Sequence, residues 1–209
     1  MKQEDTKEKI VDKALELFSI KGYEAVSVNE IAKAVGIRAS SLYNHYPSKQ
    51  AIFDAIVESI AKQYEVDTGK IDIHVENVNK DVAIFNKISE EELFKKVYQI
   101  FEYSLHNETI ARFRHMMSIE QFRSPSLSAL YSKRYVDRLV EYHANIFKYL
   151  IANKEIINED PYALSLMYVS PILTLIGVCD REKEKENECI EKLKKHVSLF
   201  FKMVHKKMK

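Results

Sequence analysis

An all-α fold is expected from three features of the sequence. Apolar residues recur at three- and four-residue spacing along most of its 209 residues, capping patterns head several of those stretches, and Gly and Pro number only four each. The periodicity divides into an N-terminal domain of three helices over residues 1–47 and a larger helical domain over 48–209.

Composition bounds the function. With 46% hydrophobic residues and 32 basic against 31 acidic groups, the chain reads as a soluble globular protein with ample core. A net charge of +1 excludes a polyelectrolyte, so any affinity for nucleic acid must come from a local patch. No apolar run approaches the roughly 18 residues of a membrane span, and the opening MKQEDTKEK is too polar for a signal peptide, which predicts a cytoplasmic protein with no membrane partner. Cys179 and Cys189 form no CxxC or zinc-type pattern; they read as buried thiols, with redox sensing as the alternative. No GxSxG, HExxH, GxGxxG or P-loop is present, and His115 and His143, on separate helices, read as polar lining or surface groups. Neither an enzyme, a cofactor nor a metal site is expected.

The first helix is expected from Asp5, which with Glu8 makes a capping-box pattern, and carries Ile10, Val11, Ala14, Leu15 and Phe18 as far as Gly22. Ser27 and Glu30 then cap a second helix that presents Ile31, Ala32 and Val35 on one face and stops at Gly36. A third must follow at once, from about Arg38 to Tyr46, because Pro47 disfavours helical geometry before it and Ser48 is placed to cap a fourth. Helix, Gly-containing turn, helix is the arrangement whose second helix enters the major groove; an ordinary solvated hairpin is the alternative.

No Asp or Glu lies between Ile31 and Phe53, while Lys33, Arg38, His45 and Lys49 supply positive or proton-donating groups. A surface that faces phosphates needs that absence of acid. Leu42 should point inward, leaving Arg38, Ala39, Ser41, Tyr43, Asn44 and His45 as candidates for the outer face. Arg38 and Asn44 suit base readout, since Arg pairs with guanine and Asn with adenine, and Ser27 at a helix N-terminus is a further phosphate candidate.

The run VNEIAKAVGIRASSLYNHYPSKQAIF resembles the N-terminal signature of the tetracycline-repressor-like (TetR) transcription regulators, through Ile31, Ala32, Gly36, Leu42, Tyr43, His45, Tyr46, Ser48 and Lys49. Two positions depart from the family pattern: Arg38 stands where a Ser cap is frequent, and Ser40 where Gly or Pro is frequent. The resemblance covers about the first 53 residues and implies a helix-turn-helix DNA-binding domain in which Tyr43, His45 and Lys49 contact phosphates of a pseudo-palindromic double-stranded operator.

The fourth helix, Ser48 to about Glu65, carries Ile52, Phe53, Ile56, Val57 and Ile60. From Val66 to Ile88 the residues Ile71, Ile73 and Val75 alternate with polar ones, yet a lone strand would have no partner. An extended loop with a short helix near Asp81 to Phe85 is expected, as a connector or a lid. Ser89 and Glu92 cap the next helix, another runs from about Ile110 to Phe122 until SPS at 124–126 breaks it, and a long one follows from Ser126 to Ala152. Asp160 and Pro161 open a helix that crosses Pro171, and the last helix runs from about Lys185 to Lys207.

Stripes of aromatic and Met residues on these helices read either as simple core or as the lining of a cavity. The lining nominated is Phe101, Phe113, Met117, Tyr142 and Tyr168, suited to a largely apolar small-molecule effector. The resemblance implies a homodimer built from the last two helices, through Ile172, Ile176, Leu193, Val197, Phe200, Phe201 and Val204; packing within one subunit is the alternative. The expected function is a ligand-released repressor, and the rival is a helix-turn-helix dimer controlled by a protein partner or lacking an effector.

Overall fold

The computed structural model describes residues 3–75, 77–123 and 125–205, and among these it contains eleven α-helices and no strand. Ser124 of the expected SPS break, Glu76 of the alternating stretch and the end of the last helix, to Lys207, lie outside the described residues. The chain forms two compact units: Met1–Tyr64 with Glu108–Tyr131, and Glu65–Asn107 with Ser132–Lys209. The first is larger than the 1–47 segment because it takes in residues 48–64 and a later pair of helices.

In the first unit α1 (Gln3–Lys21), α2 (Val28–Val35), α3 (Ala39–Tyr43) and most of α4 (Lys49–Gly69) are joined by α7 (Glu108–Glu120) and α8 (Pro125–Ser132). The apolar stripe of α1 is buried as its spacing requires: Ile10, Ala14 and Phe18 are fully buried, and α1 packs along α7 and α2. Asp5 lies inside α1, one turn from Lys9 at 3.7 Å, so the Asp5/Glu8 pattern is not a cap. The third helix is shorter than the expected Arg38–Tyr46, with turns closing it after Tyr43. Tyr23 links the pieces, its ring edge-on to Phe18 at 5.2 Å and to Phe53 at 5.1 Å.

The second unit contains α5 (Val78–Phe85), α6 (Glu90–His106), α9 (Arg138–Ala152), α10 (Pro161–Arg181) and α11 (Glu186–Val204). Instead of an extended loop from Val66, α4 continues to Gly69 and a tight turn follows, in which the Ile73 amide bonds back to the Thr68 carbonyl at 3.0 Å. The alternating isoleucines therefore dock a turn: Ile73 is buried, and Ile71 and Val75 pack against the same core. The expected long helix from Ser126 to Ala152 is interrupted by a wider π turn at Lys133–Asp137.

Asp160 caps α10 by accepting from the Ala163 amide at 2.7 Å. Pro171 lies inside that helix and leaves the Met167 carbonyl without its usual intrahelical donor. The expectation that no stretch reaches span length is corrected here. By length and composition α10 is long and apolar enough to cross a membrane, with a mean hydropathy of 1.8 and 33% of its most apolar window buried. It packs on α9, α11 and α6, yet Tyr162, Leu166 and Met167 remain exposed.

Candidate nucleic-acid interface and apolar cleft

Local chemistry holds α2 and α3 in place. Ser27 Oγ accepts from the Glu30 amide at 3.2 Å while the Ser27 amide donates to Glu30 Oε2 at 2.8 Å, a complete capping box. The Ser27 backbone hydrogen bond, then Lys21 at 2.9 Å and the Ser27 hydroxyl, hold the Glu30 carboxyl down at about 2. Gly36 ends α2 at φ 83°, a left-handed conformation that a Cβ disfavours, and its amide bonds to the Ala32 and Lys33 carbonyls. Arg38 occupies the N-cap of α3 without a side-chain hydrogen bond to the helix.

Leu42 is fully buried and turns the opposite face of α3 outward. On that face Arg38, Tyr43 and Asn44 are exposed, while Ala39, Ser41 and His45 are half-buried. His45 Nδ1 is buried without a hydrogen-bond partner. Lys49 is less free than its sequence position suggests. Its ammonium donates to the Tyr23 carbonyl at 2.8 Å and the Glu24 carbonyl at 3.3 Å, and sits 4.3 Å from the centre of the Tyr23 ring. With three N–H groups, one remains for a phosphate. Ser48 accepts from the Ala51 amide at 3.0 Å and so starts α4 beside this cluster. Nothing in the residue pattern pointed to Tyr23, because the carbonyls that hold Lys49 belong to a loop with no motif.

The nominated effector lining divides between the units. Phe113 and Met117 are fully buried in the first, on α7. Phe101, Tyr142 and Tyr168 lie in the core of the second. There an apolar cleft of about 420 Å³, counting the solvent at its mouth, lies among Leu93, Ile146, Phe147, Leu150, Phe200 and Val204. His143, Tyr168 and His205 also line it, and of the nominated residues Tyr168 alone is in its wall.

His143 Nδ1 donates to the Leu139 carbonyl at 2.8 Å, because a carbonyl can only accept, and Nε2 of the neutral ring is left as an acceptor. Burial holds the imidazole down at about 4 against that hydrogen bond, and pushes the Tyr168 phenol well up. Tyr142 instead donates to Asp81, a fully buried carboxylate that also accepts from the His74 amide at 2.6 Å and pairs with His74 Nδ1 at 2.7 Å. Asp81 is satisfied by groups 7 and 61 residues away in sequence, which no local spacing reveals.

Of the seven nominated dimer residues, Leu193, Val197, Phe200, Val204 and Ile176 are buried within their own chain. Ile172 and Phe201 are partly exposed. The apolar groups left uncovered on the last two helices are Tyr162, Leu166, Met167 and Leu199, the last 70% exposed.

Residues 10–56 match the family model of bacterial regulatory proteins, tetR family. The segment is similar to the negative transcriptional regulator IcaR of the biofilm operon icaADBC in Staphylococcus aureus, 46% identical over 52 residues, or 25% of this chain and 28% of that protein. The chain thus matches little more than a quarter of that relative's length. Over nearly its full length the fold is similar to NalD, the secondary repressor of the MexAB-OprM multidrug efflux pump in Pseudomonas aeruginosa, with TM-score 0.67, 17% identity and coverage of 99% of this chain and 100% of that one. It is also similar to SmeT in complex with triclosan, with TM-score 0.68, 16% identity and coverage of 97% and 93%.

Proposed function

We propose, from the match of residues 10–56 to the tetR family model, that this chain is a cytoplasmic transcriptional repressor of that family that binds a pseudo-palindromic operator as a homodimer and is released by a small, largely apolar ligand. The observation that carries the reading is α3: a helix pinned by buried Leu42, with Arg38, Tyr43 and Asn44 exposed in a stretch free of acid. Arg38 and Asn44 read bases; Tyr43, His45, Lys49 and the N-terminus of α2 at Ser27 engage phosphates, with Ala39 and Ser41 at the groove surface. The functional division keeps residues 1–47, together with Lys49 at the start of α4, for DNA and the rest of 48–209 for effector and dimer.

We place the effector site in the cleft of the second unit, whose wholly apolar wall suits a hydrophobic molecule. The triclosan complex of SmeT is consistent with that class of ligand. α6 contributes Leu93 to the cleft and holds the last turn of α4 through the Tyr103 hydroxyl, 3.0 Å from Asp67. α4 begins at Lys49, so a ligand that favours the setting of α4 in which the two recognition helices are splayed away from the operator spacing lowers DNA affinity by its differential affinity for the two states, and DNA weakens the ligand by the same factor. The dimer face is drawn on Tyr162, Leu166, Met167 and Leu199, with Ile172 and Phe201 at its margin, since the other nominated residues are occupied in the subunit core.

Titrating hydrophobic ligands into the operator complex tests this. Release should be weakened by Tyr168→Ala and Phe147→Ala and unaffected by Phe113→Ala and Met117→Ala variants that remain folded. Release by no ligand class would favour control by a protein partner.

A further inference from the structure

We propose that Glu102, His106 and Glu186 form a binding site for a divalent transition-metal ion of the zinc class, which ties the end of α6 to the start of α11. Glu102 and His106 are one turn apart on α6 and share a face. Glu186 opens α11, and its Oε1 lies 2.9 Å from His106 Nε2. One donor atom from each of the three groups lies within 4.8 Å of the others. Donors about 2.0–2.2 Å from a common tetrahedral ion stand about 3.2–3.6 Å apart. Small rotations of the exposed His106 and the half-buried Glu186 bring the donors to that spacing.

The electrostatics favour a cation over a plain ion pair. A histidine–glutamate pair needs one carboxylate, and a second stands within reach, so the three groups carry net negative charge whether or not the imidazole is protonated. Among the described residues, no lysine or arginine pairs with Glu102, whose Oε1 accepts from the Tyr98 hydroxyl at 2.7 Å. That hydrogen bond fixes the carboxylate as an outer partner fixes a metal ligand. Two carboxylate oxygens and an imidazole nitrogen suit zinc, cobalt, manganese or ferrous iron better than calcium, which takes oxygen alone, or cuprous copper, which takes sulfur. The side chains of His106 and Glu186 are 56% and 30% exposed, leaving an entry path and room for water as a further ligand. Cys179 and Cys189, on α10 and α11, are buried at 4% and 1% exposure, and the Cys179 thiol is pushed up to about 12, first by burial. They are not ligands.

The test titrates Co²⁺ into the full, tag-free chain and reads the visible spectrum, calorimetric stoichiometry and thermal unfolding. The expected result is one ion per chain, a spectrum of nitrogen and oxygen ligation without a thiolate charge-transfer band, and a raised Tm. Affinity should fall at least about tenfold in each of Glu102→Gln, His106→Gln and Glu186→Gln, each checked for native helicity. Uptake unchanged in the triple variant, a thiolate band, or no uptake by the folded wild-type chain would overturn the proposal.

Discussion

Lys49 and Tyr23 form one joint: the ammonium of the first rests on the carbonyl of the second at 2.8 Å and 4.3 Å from the centre of its ring. The same side chain that would meet a phosphate also fastens α4 to the loop between α1 and α2. Lys49→Ala should therefore lower stability by about 1–2 kcal/mol, from the lost charge-assisted hydrogen bonds, and weaken all DNA sites alike with a shallower salt dependence. Denaturant unfolding and salt-dependent binding measure the two effects separately.

Arg38 sits at the N-cap of α3 and does not cap it. Arg38→Ser should add about 0.5–1 kcal/mol of stability by supplying the missing acceptor and relax sequence preference by removing the base-reading group. A variant that is more stable with an unchanged site preference would take base readout away from Arg38.

These first three helices were legible because their determinants are local. Ser27 to Glu30, Gly36 and Leu42 each act within one turn, and the structure realises them as a capping box, a left-handed cap and a buried anchor. The cleft was not legible, since helical periodicity shows that Phe113, Met117 and Tyr168 are buried without showing against what. Phe113 and Met117 fall in one unit and Tyr168 in the other. The same limit applies to Leu193, Val197 and Phe200: an apolar stripe reads alike whether it faces a partner or its own core.

Glutamate at Phe200, 4% exposed, should unfold the second unit by burying an unpaired charge, and so says nothing about assembly. Leu166→Glu with Leu199→Glu, at 47% and 70% exposure, should leave the fold intact and yield monomers with collapsed operator affinity. Sedimentation reads the outcome; a double variant that stays dimeric would move the interface.

His143 is held at about 4, below its ordinary 6.5. The unfolded chain takes up a proton as pH falls below 6.5, whereas the folded one resists until about 4, so the contribution is complete above 6.5 and is lost as pH falls through that window. Its upper size is about 3 kcal/mol. Denaturant titrations from pH 7 to pH 4 should show a flatter decline in His143→Phe than in wild type.

Selection of bound duplexes from a random library, performed on wild type and Arg38→Ala, tests the central claim most directly. The account predicts a pseudo-palindrome whose half-sites lie one helical turn, about 34–36 Å, apart, with information lost at the Arg38 base position in the variant. No enriched sequence, or an enriched site that Arg38→Ala, Asn44→Ala and Tyr43→Ala all leave unchanged, would contradict DNA recognition by α3.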